Sequence, residues 1–241
     1  MRFTRLCLAV AALATAWIFS VPGVAAAKTA RNYCCDWSAI GGGSFWPAAV
    51  SAAVFQANKG YSVVSGYSVH SGNVYNALKL EGLLMSGSHA NAGIMVFRRS
   101  DDTWSCITTY SFALPHKHSV SGVSYSKSCA ANYNIAALTG DSPCAMALWL
   151  GCYTLNDPGA SGDSLPWACY YEGIDHACGF SKSVLTDSWA GDWSYGYWQS
   201  LAAGNYTNKA IQDAEAYVRS KHGGKAGGYD SCNYVGLNMK I

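Results

Sequence analysis

The stretch that most constrains the fold is an almost wholly apolar run at 145–150, which stops abruptly at Gly151. An apolar run of this length, closed by a glycine, predicts a strand buried on both faces, as strands of parallel sheets are. In open α/β sheets, chemistry takes place just beyond the carboxyl ends of such strands. Cys152 follows the run directly, so it stands where a nucleophile is expected. The alternative for a cysteine at this place is inert packing.

Strand and helix patterns alternate along the rest of the chain. Short apolar or alternating runs predict strands, and apolar residues at helical spacing predict helices. The predicted strands cover 61–69, 83–85, 94–97, 104–110, 145–150 and 175–180, with an edge strand in 229–241. The predicted helices cover 45–58, 71–80, 130–138, 165–172, 187–203 and 205–221, and 115–128 is predicted to be a polar loop. This order predicts an α/β fold, a three-layer αβα sandwich with a mainly parallel central sheet.

The first residues have the three parts of a secretory signal peptide. Two arginines precede an apolar run over 6–21, and three alanines follow at 25–27. The sequence therefore predicts a signal peptide over 1–27 and a single mature domain over 28–241, either secreted or periplasmic. A retained membrane anchor is the alternative, but the run is short for a spanning helix. We expect no stable membrane anchor after cleavage.

The charge balance argues against a polyanionic partner. Of the 16 Lys and Arg residues, Arg2 and Arg5 lie in the predicted signal peptide, which leaves 14 against 14 Asp and Glu. No basic stripe of the kind that binds nucleic acid is present in the sequence. The sequence therefore predicts no nucleic-acid partner.

The cysteines fit an oxidising compartment. Ten are present, and Cys7 is lost with the predicted signal peptide. The nine that remain predict disulfide bonds, and the odd number leaves at least one thiol unpaired or bonded to another chain. Eight can form four bridges with Cys152 free, but the connectivity cannot be derived from the sequence. No Cys-x-x-Cys pair has a matching partner pair, so neither a structural zinc site nor another cofactor is expected.

A histidine follows an earlier strand at an equivalent place. The predicted strand 83–85 leads through a small-residue loop to His89, and right-handed crossovers put its end on the same rim as Cys152. A neighbouring histidine can take the proton of a thiol, and the thiolate then attacks a carbonyl carbon. Small residues let backbone N–H groups approach the resulting oxyanion. The predicted oxyanion and substrate loop comprises Gly87, Ser88, Ala90 and Gly151.

Other residues compete for these roles. His176 begins a later strand and is the alternative base, although a strand-entry residue with local hydrogen bonds is the simpler interpretation. His116 and His118 in the polar loop have the spacing of a weak metal site, but solvated side chains explain them better. Asp187 or Asp192 is a candidate for selecting a basic substrate side chain.

The run from Leu148 to Thr154, LWLGCYT, resembles the nucleophile strand of the caspase–gingipain clan of cysteine peptidases. The segments that follow are similar to gingipain-like domains, in which a Gly-Cys loop leads to a helix, a further strand and two helices. In that clan a histidine ends the strand before the nucleophile strand, and LLMSGSH at 83–89 takes that place here. The resemblance covers about residues 45–220, and the insert at 98–143 matches poorly.

The resemblance implies a secreted cysteine peptidase that needs no metal or cofactor. Cys152 is then the nucleophile, His89 the general base, and a peptide or protein the substrate. Two departures favour an alternative: Ala90 replaces the glycine that usually follows the histidine, and Ser88 replaces the one before it. The alternative is a catalytically inactive extracellular recognition or toxin-like module on the same fold.

Overall fold

A computed structural model describes residues 28–109, 117–119, 126–138, 142–159 and 163–241. The predicted signal peptide lies outside these ranges. The strands are β1 (Thr29–Cys34), β2 (Ser62–Gly66), β3 (Gly82–Gly87), β4 (Ala90–Asn91), β5 (Ile94–Arg98), β6 (Trp104–Thr108), β7 (Lys117–Ser119), β8 (Ser126–Ser128), β9 (Ala131–Asn134), β10 (Cys144–Leu150), β11 (His176–Phe180) and β12 (Cys232–Gly236). The α-helices are α1 (Trp46–Asn58), α2 (Ser71–Ala77), α3 (Leu165–Tyr171), α4 (Ser188–Ala202) and α5 (Thr207–Lys221).

Six strands form the central sheet, in the order β2-β1-β3-β10-β11-β12. The first five are parallel to one another, and β12 runs antiparallel at the edge beside β11. The mixed α/β architecture and the mostly parallel sheet are confirmed. The tail prediction also holds, because β12 is the edge strand expected within 229–241.

The helices begin and end where local chemistry favours it. Pro47 lies in the first turn of α1, where its missing N–H removes no helical hydrogen bond, and the helix ends before Gly60, whose φ is 82°. In α3, the Ser164 side chain caps the first turn by accepting from the Trp167 N–H. These signals are local, so the sequence placed both helices within about two residues.

Two cores lie on opposite faces of the sheet, because successive side chains of a strand point to opposite faces. On β10, Leu148 and Leu150 pack into one core with side chains of α1, α4 and α5. Trp149, between them, packs into the other with side chains of α2 and α3. The nearly continuous burial of β10 fits a strand covered on both sides.

An insertion between β3 and β10 forms its own four-stranded sheet, in the order β4-β5-β6-β9. The predicted helix at 130–138 is wrong: β9 pairs in parallel with β6, and a short 3-10 turn, Ile135–Ala137, follows. A disulfide between Cys106 and Cys129 joins the two segments, so tertiary pairing overrides local propensity. The predicted polar loop 115–128 contains an antiparallel strand pair, β7 with β8.

Candidate active site

The carboxyl ends of β1, β3 and β10 meet at one edge of the sheet, because these strands are parallel and adjacent. Leu150 near the end of β10 is in register with Gly87 at the end of β3. His89 and Cys152 each lie two positions further along the chain. Neighbouring strands are about 4.8 Å apart, so the two residues leave the sheet side by side. The structure therefore places them on the same rim, as the sequence predicts.

Cys152 lies in a turn that leaves β10. Tyr153, the next residue, has a φ of 56°, and the Thr154 hydroxyl donates to the Trp149 carbonyl over 3.0 Å. The same hydroxyl oxygen accepts from the Phe180 N–H over 3.0 Å, which ties the turn to β11. The cysteine is half-buried, so its thiol is held by a fixed turn and remains reachable.

The Cys152 thiol contacts the segment between β11 and α4. Its sulfur lies 3.3 Å from the Ser183 hydroxyl and 3.8 Å from the Val184 carbonyl oxygen. Ser183 is exposed and Val184 is buried. The thiol thus lies at the boundary between the core and solvent, which is where a reactive cysteine is found.

Gly151 brings the two strand ends together. A Cβ atom at this position would lie 2.6 Å from the Ser88 carbonyl oxygen and 2.8 Å from the Ala90 Cβ. Real Cβ atoms do not approach backbone atoms this closely, so only glycine fits. Since Ser88 and Ala90 flank His89, the bare backbone of Gly151 keeps the His89 loop against the Cys152 turn.

One carbonyl group fixes the His89 imidazole. Its Nε2 lies 3.0 Å from the Gly42 carbonyl oxygen, and the ring meets Trp37 and Phe45 edge-on at centroid distances of 5.1 and 6.2 Å. A carbonyl can only accept, so Nε2 carries the hydrogen and Nδ1 keeps the lone pair. Burial lowers the pKa of His89 below its ordinary 6.5, and the Gly42 hydrogen bond opposes this only in part. The ring is therefore neutral near pH 7, with Nδ1 as its basic atom.

The structure shows no direct hydrogen bond between Cys152 and His89 in the described ranges. Each side chain contacts a different segment: Gly42 for the imidazole, and Ser183 with Val184 for the thiol. Catalytic hydrogen bonds are often long in the absence of substrate and shorten when it binds. The two residues thus lie at neighbouring strand ends, without a hydrogen bond between their side chains.

Two members of the predicted oxyanion loop have structural roles. The Ser88 N–H donates to the Leu150 carbonyl over 3.1 Å, and the Ser88 hydroxyl accepts from the Trp37 indole over 2.9 Å. Gly87 is buried in β3, and its carbonyl accepts from the Cys35 N–H over 2.8 Å. The expectation that Ser88 and Gly87 offer oxyanion donors is therefore a poor fit to the structure. Within the described ranges, the N–H groups of Cys152 and His89 donate to no group, so they are the better candidates.

His176 does not belong to this site, which corrects its role as the alternative base. It begins β11 in register with Met146, six residues before Cys152, so it lies at the amino end of the sheet, roughly 20 Å away. It is fully buried, and its Nδ1 lies 2.7 Å from the Leu237 carbonyl oxygen. The sequence-based prediction failed because the start of a parallel strand lies at the opposite edge from its end.

The other cysteines are bonded or buried, except Cys232, which is half-buried as Cys152 is. All nine outside the predicted signal peptide are described, and only Cys106 and Cys129 are bonded, so four bridges do not form here. Burial raises the pKa of Cys35 to about 11 and that of Cys144 to about 12. These two thiols stay protonated and out of reach of a substrate. The neighbouring Cys232 and His176 instead lower the pKa of the Cys178 thiol, which is fully buried.

Three further residues shape the site. Gly42 supplies the carbonyl for His89, Ser183 contacts the Cys152 thiol, and Asp187 lies between the two segments. A backbone carbonyl has no side-chain signature, so the role of Gly42 could not be derived from the sequence. The run of three glycines at 41–43 signals only an unusual turn.

Among the described residues, no cluster of three or more His, Cys, Asp or Glu side chains could hold a metal ion. His116 lies outside the described ranges. No helix in these ranges is both long enough and apolar enough to cross a membrane.

The chain matches no protein-family model, and no curated protein matches it. What the site can do must therefore follow from its own geometry.

Proposed function

We propose that the protein is a secreted cysteine peptidase-like hydrolase, in which Cys152 attacks a peptide carbonyl and His89 is the general base. The observation that carries this proposal is the pairing at one edge of the sheet. Neighbouring parallel strands β3 and β10 lead to His89 and Cys152, and Gly151 allows the two turns to touch. The position matches the place where α/β folds put their chemistry.

The finer fold assignment, a three-layer caspase–gingipain-like sandwich, is part of the proposal. After Cys152 the chain forms α3, β11, α4 and α5, which is the succession of a helix, a strand and two helices that the resemblance implies. The strand next to β10 in the sheet is β3, which leads to the histidine. The predicted signal peptide and the Cys106–Cys129 disulfide support an extracellular or periplasmic location.

The proposed reaction is acyl transfer. His89 Nδ1 takes the thiol proton of Cys152 as the sulfur forms a bond to the peptide carbonyl carbon. The N–H groups of Cys152 and His89 stabilise the oxyanion. The amide C–N bond then breaks, and the leaving amine receives the proton from Nδ1. Water, deprotonated by the same nitrogen, hydrolyses the thioester and frees the thiol.

A second candidate is the catalytically inactive recognition module on the same fold. Its support is the missing hydrogen bond between Cys152 and His89, together with Ala90 in place of the usual glycine. In this case the same edge binds a peptide without cleaving it.

A labelling experiment separates the two candidates. The mature protein is exposed to short peptides that carry a thiol-reactive electrophile and differ in their terminal side chain, and adducts are located by peptide mass spectrometry. We expect an adduct at Cys152 in wild type, none in Cys152→Ala, and wild-type labelling in Cys178→Ala, because Cys178 is fully buried. Equal labelling of wild type and Cys152→Ala, or none in either, would contradict the nucleophile assignment.

A further inference from the structure

Two segments hold the proposed catalytic pair, and they differ in rigidity. Ser183 and Val184 contact the Cys152 thiol, and the segment 183–187 to which they belong is fixed to the core. The Tyr229 hydroxyl donates to the Leu185 carbonyl over 2.6 Å, and the Leu185 N–H donates to the Gly227 carbonyl over 3.1 Å.

The loop at 41–43, whose Gly42 holds His89, consists of three glycines. Glycines leave a loop with the most backbone freedom, so its position depends on its partners. On one side the Gly42 N–H donates to the Trp37 carbonyl over 3.0 Å, and the Gly43 carbonyl accepts from the Trp37 N–H over 2.9 Å. On the other side the loop meets residues 183–187.

Asp187 joins the two segments through a pair of hydrogen bonds. The Ser44 N–H donates to the Asp187 carboxylate Oδ1 over 2.8 Å, and the Asp187 N–H donates to the Ser44 carbonyl over 2.6 Å. The Thr186 hydroxyl donates to the other carboxylate oxygen over 3.0 Å. We call this arrangement of Ser44, Thr186 and Asp187 the clasp.

In the clasp, the backbone of Asp187 adopts angles that an aspartate rarely adopts. Its φ is 58° and its ψ is −127°, a conformation that residues other than glycine rarely adopt. It precedes α4 at the position where an aspartate normally caps the helix, yet its side chain makes no capping hydrogen bond. The carboxylate is instead directed to Ser44.

Gly43 lies directly against Thr186. A Cβ atom there would lie 2.0 Å from the Thr186 hydroxyl oxygen, and Gly43 itself has a φ of 71°. The loop and the segment thus meet without a side chain between them. The Gly42 carbonyl, one residue earlier, is held in the position at which it meets His89.

We propose that Asp187 is a positioning residue, which through the clasp holds the Gly42 carbonyl on His89 and sets the imidazole relative to the Cys152 thiol. The inference rests on the proposed function, since the orientation of His89 affects a reaction only if His89 is the base. It extends that function by assigning the side-chain part of the link between the two halves of the site to one carboxylate.

The test compares Asp187→Gly with Asp187→Asn. Glycine suits the observed φ but lacks the acceptor, whereas the asparagine amide oxygen can still accept from Ser44. Because the Asp187 side chain is exposed, both variants should fold, which circular dichroism checks. The matched control is Asp213→Asn, an aspartate on α5, whose carboxylate accepts from the Ser200 hydroxyl over 2.7 Å.

The first readout is nitrogen NMR of the His89 ring, which reports the tautomer without requiring activity. We expect a fixed Nε2–H tautomer in wild type, Asp187→Asn and Asp213→Asn, and mixed tautomers in Asp187→Gly. The second readout is the rate of Cys152 labelling by the peptide electrophile, which should fall about tenfold in Asp187→Gly and stay within about twofold in the others.

A folded Asp187→Gly protein with the wild-type His89 spectrum would overturn the proposal, as would loss of the tautomer in Asp187→Asn. If Asp187→Gly does not fold, Gly43→Ala takes its place, because its Cβ separates the loop from Thr186 while Asp187 remains. Mixed tautomers in Gly43→Ala support the clasp, and an unchanged spectrum overturns it. Failure of the proposed function is distinguishable, since labelling is then absent in every protein while the NMR result still reports on the clasp.

Discussion

The molecule contains two places where a cysteine and a histidine lie close together, and they differ in burial and in their position on the strands. Cys152 and His89 lie beyond the carboxyl ends of β10 and β3, in turns that are only half-buried. Cys178 and His176 lie two positions apart on β11 and are fully buried. His176 stacks on Tyr234 with ring centroids 5.0 Å apart.

The difference shows that, for the accessibility of a cysteine–histidine pair, its position at the carboxyl end of a strand matters more than the residue types. Side chains within β11 point into a core where no substrate can enter. Among the described residues the buried His176 Nε2 makes no hydrogen bond. Turns beyond the carboxyl ends place side chains at the surface while parallel strands keep them in register. A cysteine and a histidine from distant parts of the sequence therefore form the better candidate than two neighbours in one strand.

The largest expected effect is on the Cys152 labelling rate, and it distinguishes His89 from His176. His89→Asn should slow Cys152 labelling by the peptide electrophile about 100-fold at pH 7, because the base is lost, with only a small change in stability. His176→Asn should lower the free energy of unfolding by about 2–3 kcal/mol, because a buried hydrogen-bonded ring is lost, and leave the labelling rate per folded molecule unchanged. Rates come from time-resolved mass spectrometry and stabilities from urea unfolding.

A reversed pattern, with labelling lost in folded His176→Asn and kept in His89→Asn, would assign the reactive pair to β11. Labelling that is unaffected by either substitution would remove the histidine from the reaction.

The next effect concerns the glycine that joins the two turns. Gly151→Ala should destabilise the protein by about 3 kcal/mol, because the new Cβ would lie 2.6 Å from the Ser88 carbonyl oxygen and neither backbone can yield easily. Gly66→Ala, at the end of β2, is the matched control: its nearest contact would be an ordinary 3.5 Å, so its stability should change by less than about 0.5 kcal/mol. Urea unfolding of both variants measures the difference, and equal stabilities would mean that the turns do not touch.

The smallest expected effect concerns the pH dependence of the Cys152 labelling rate. Burial lowers the pKa of His89 below 6.5, so the imidazole stays neutral, and able to act as a base, to a pH lower than a free histidine would. The acid limb of the labelling rate should therefore lie below pH 6.5, and be absent in His89→Asn.

The lowered pKa of His89 also determines how the stability of the protein changes with pH. The unfolded chain takes up a proton at His89 more readily than the folded one. The contribution of His89 to stability is therefore fully present above pH 6.5 and is lost as the pH falls through the lower folded pKa. NMR titration of His89 measures the midpoint directly, and a midpoint above 6.5 would contradict the burial that the structure shows.

Much of the fold could be predicted because its signals are local. The apolar run of β10, the helical spacing in α4 and the glycine that ends α1 each depend on nearby residues only. The segment 130–138 could not be predicted, because its pairing with β6 and the Cys106–Cys129 bond involve residues far away in the sequence. Local propensity depends only on neighbouring residues, so it does not report pairing with distant ones.

The site could be predicted in part for the same reason. The shared rim of His89 and Cys152 follows from strand direction, which the order of elements indicates. The same rule, applied to the start of β11, would have excluded His176. The Gly42 carbonyl and the Asp187 clasp depend on how two loops meet, and no sequence pattern encodes that meeting.

The central claim is that Cys152 and His89 form one reactive unit. Its most direct test is the distance between His89 Nδ1 and Cys152 Sγ in a crystal structure of the peptide-electrophile adduct. We predict an adduct on Cys152 with Nδ1 within about 4 Å of the sulfur, directly or through one water molecule, and with Nε2 still on the Gly42 carbonyl. An adduct on another cysteine, or an imidazole turned away from the sulfur, would contradict the account.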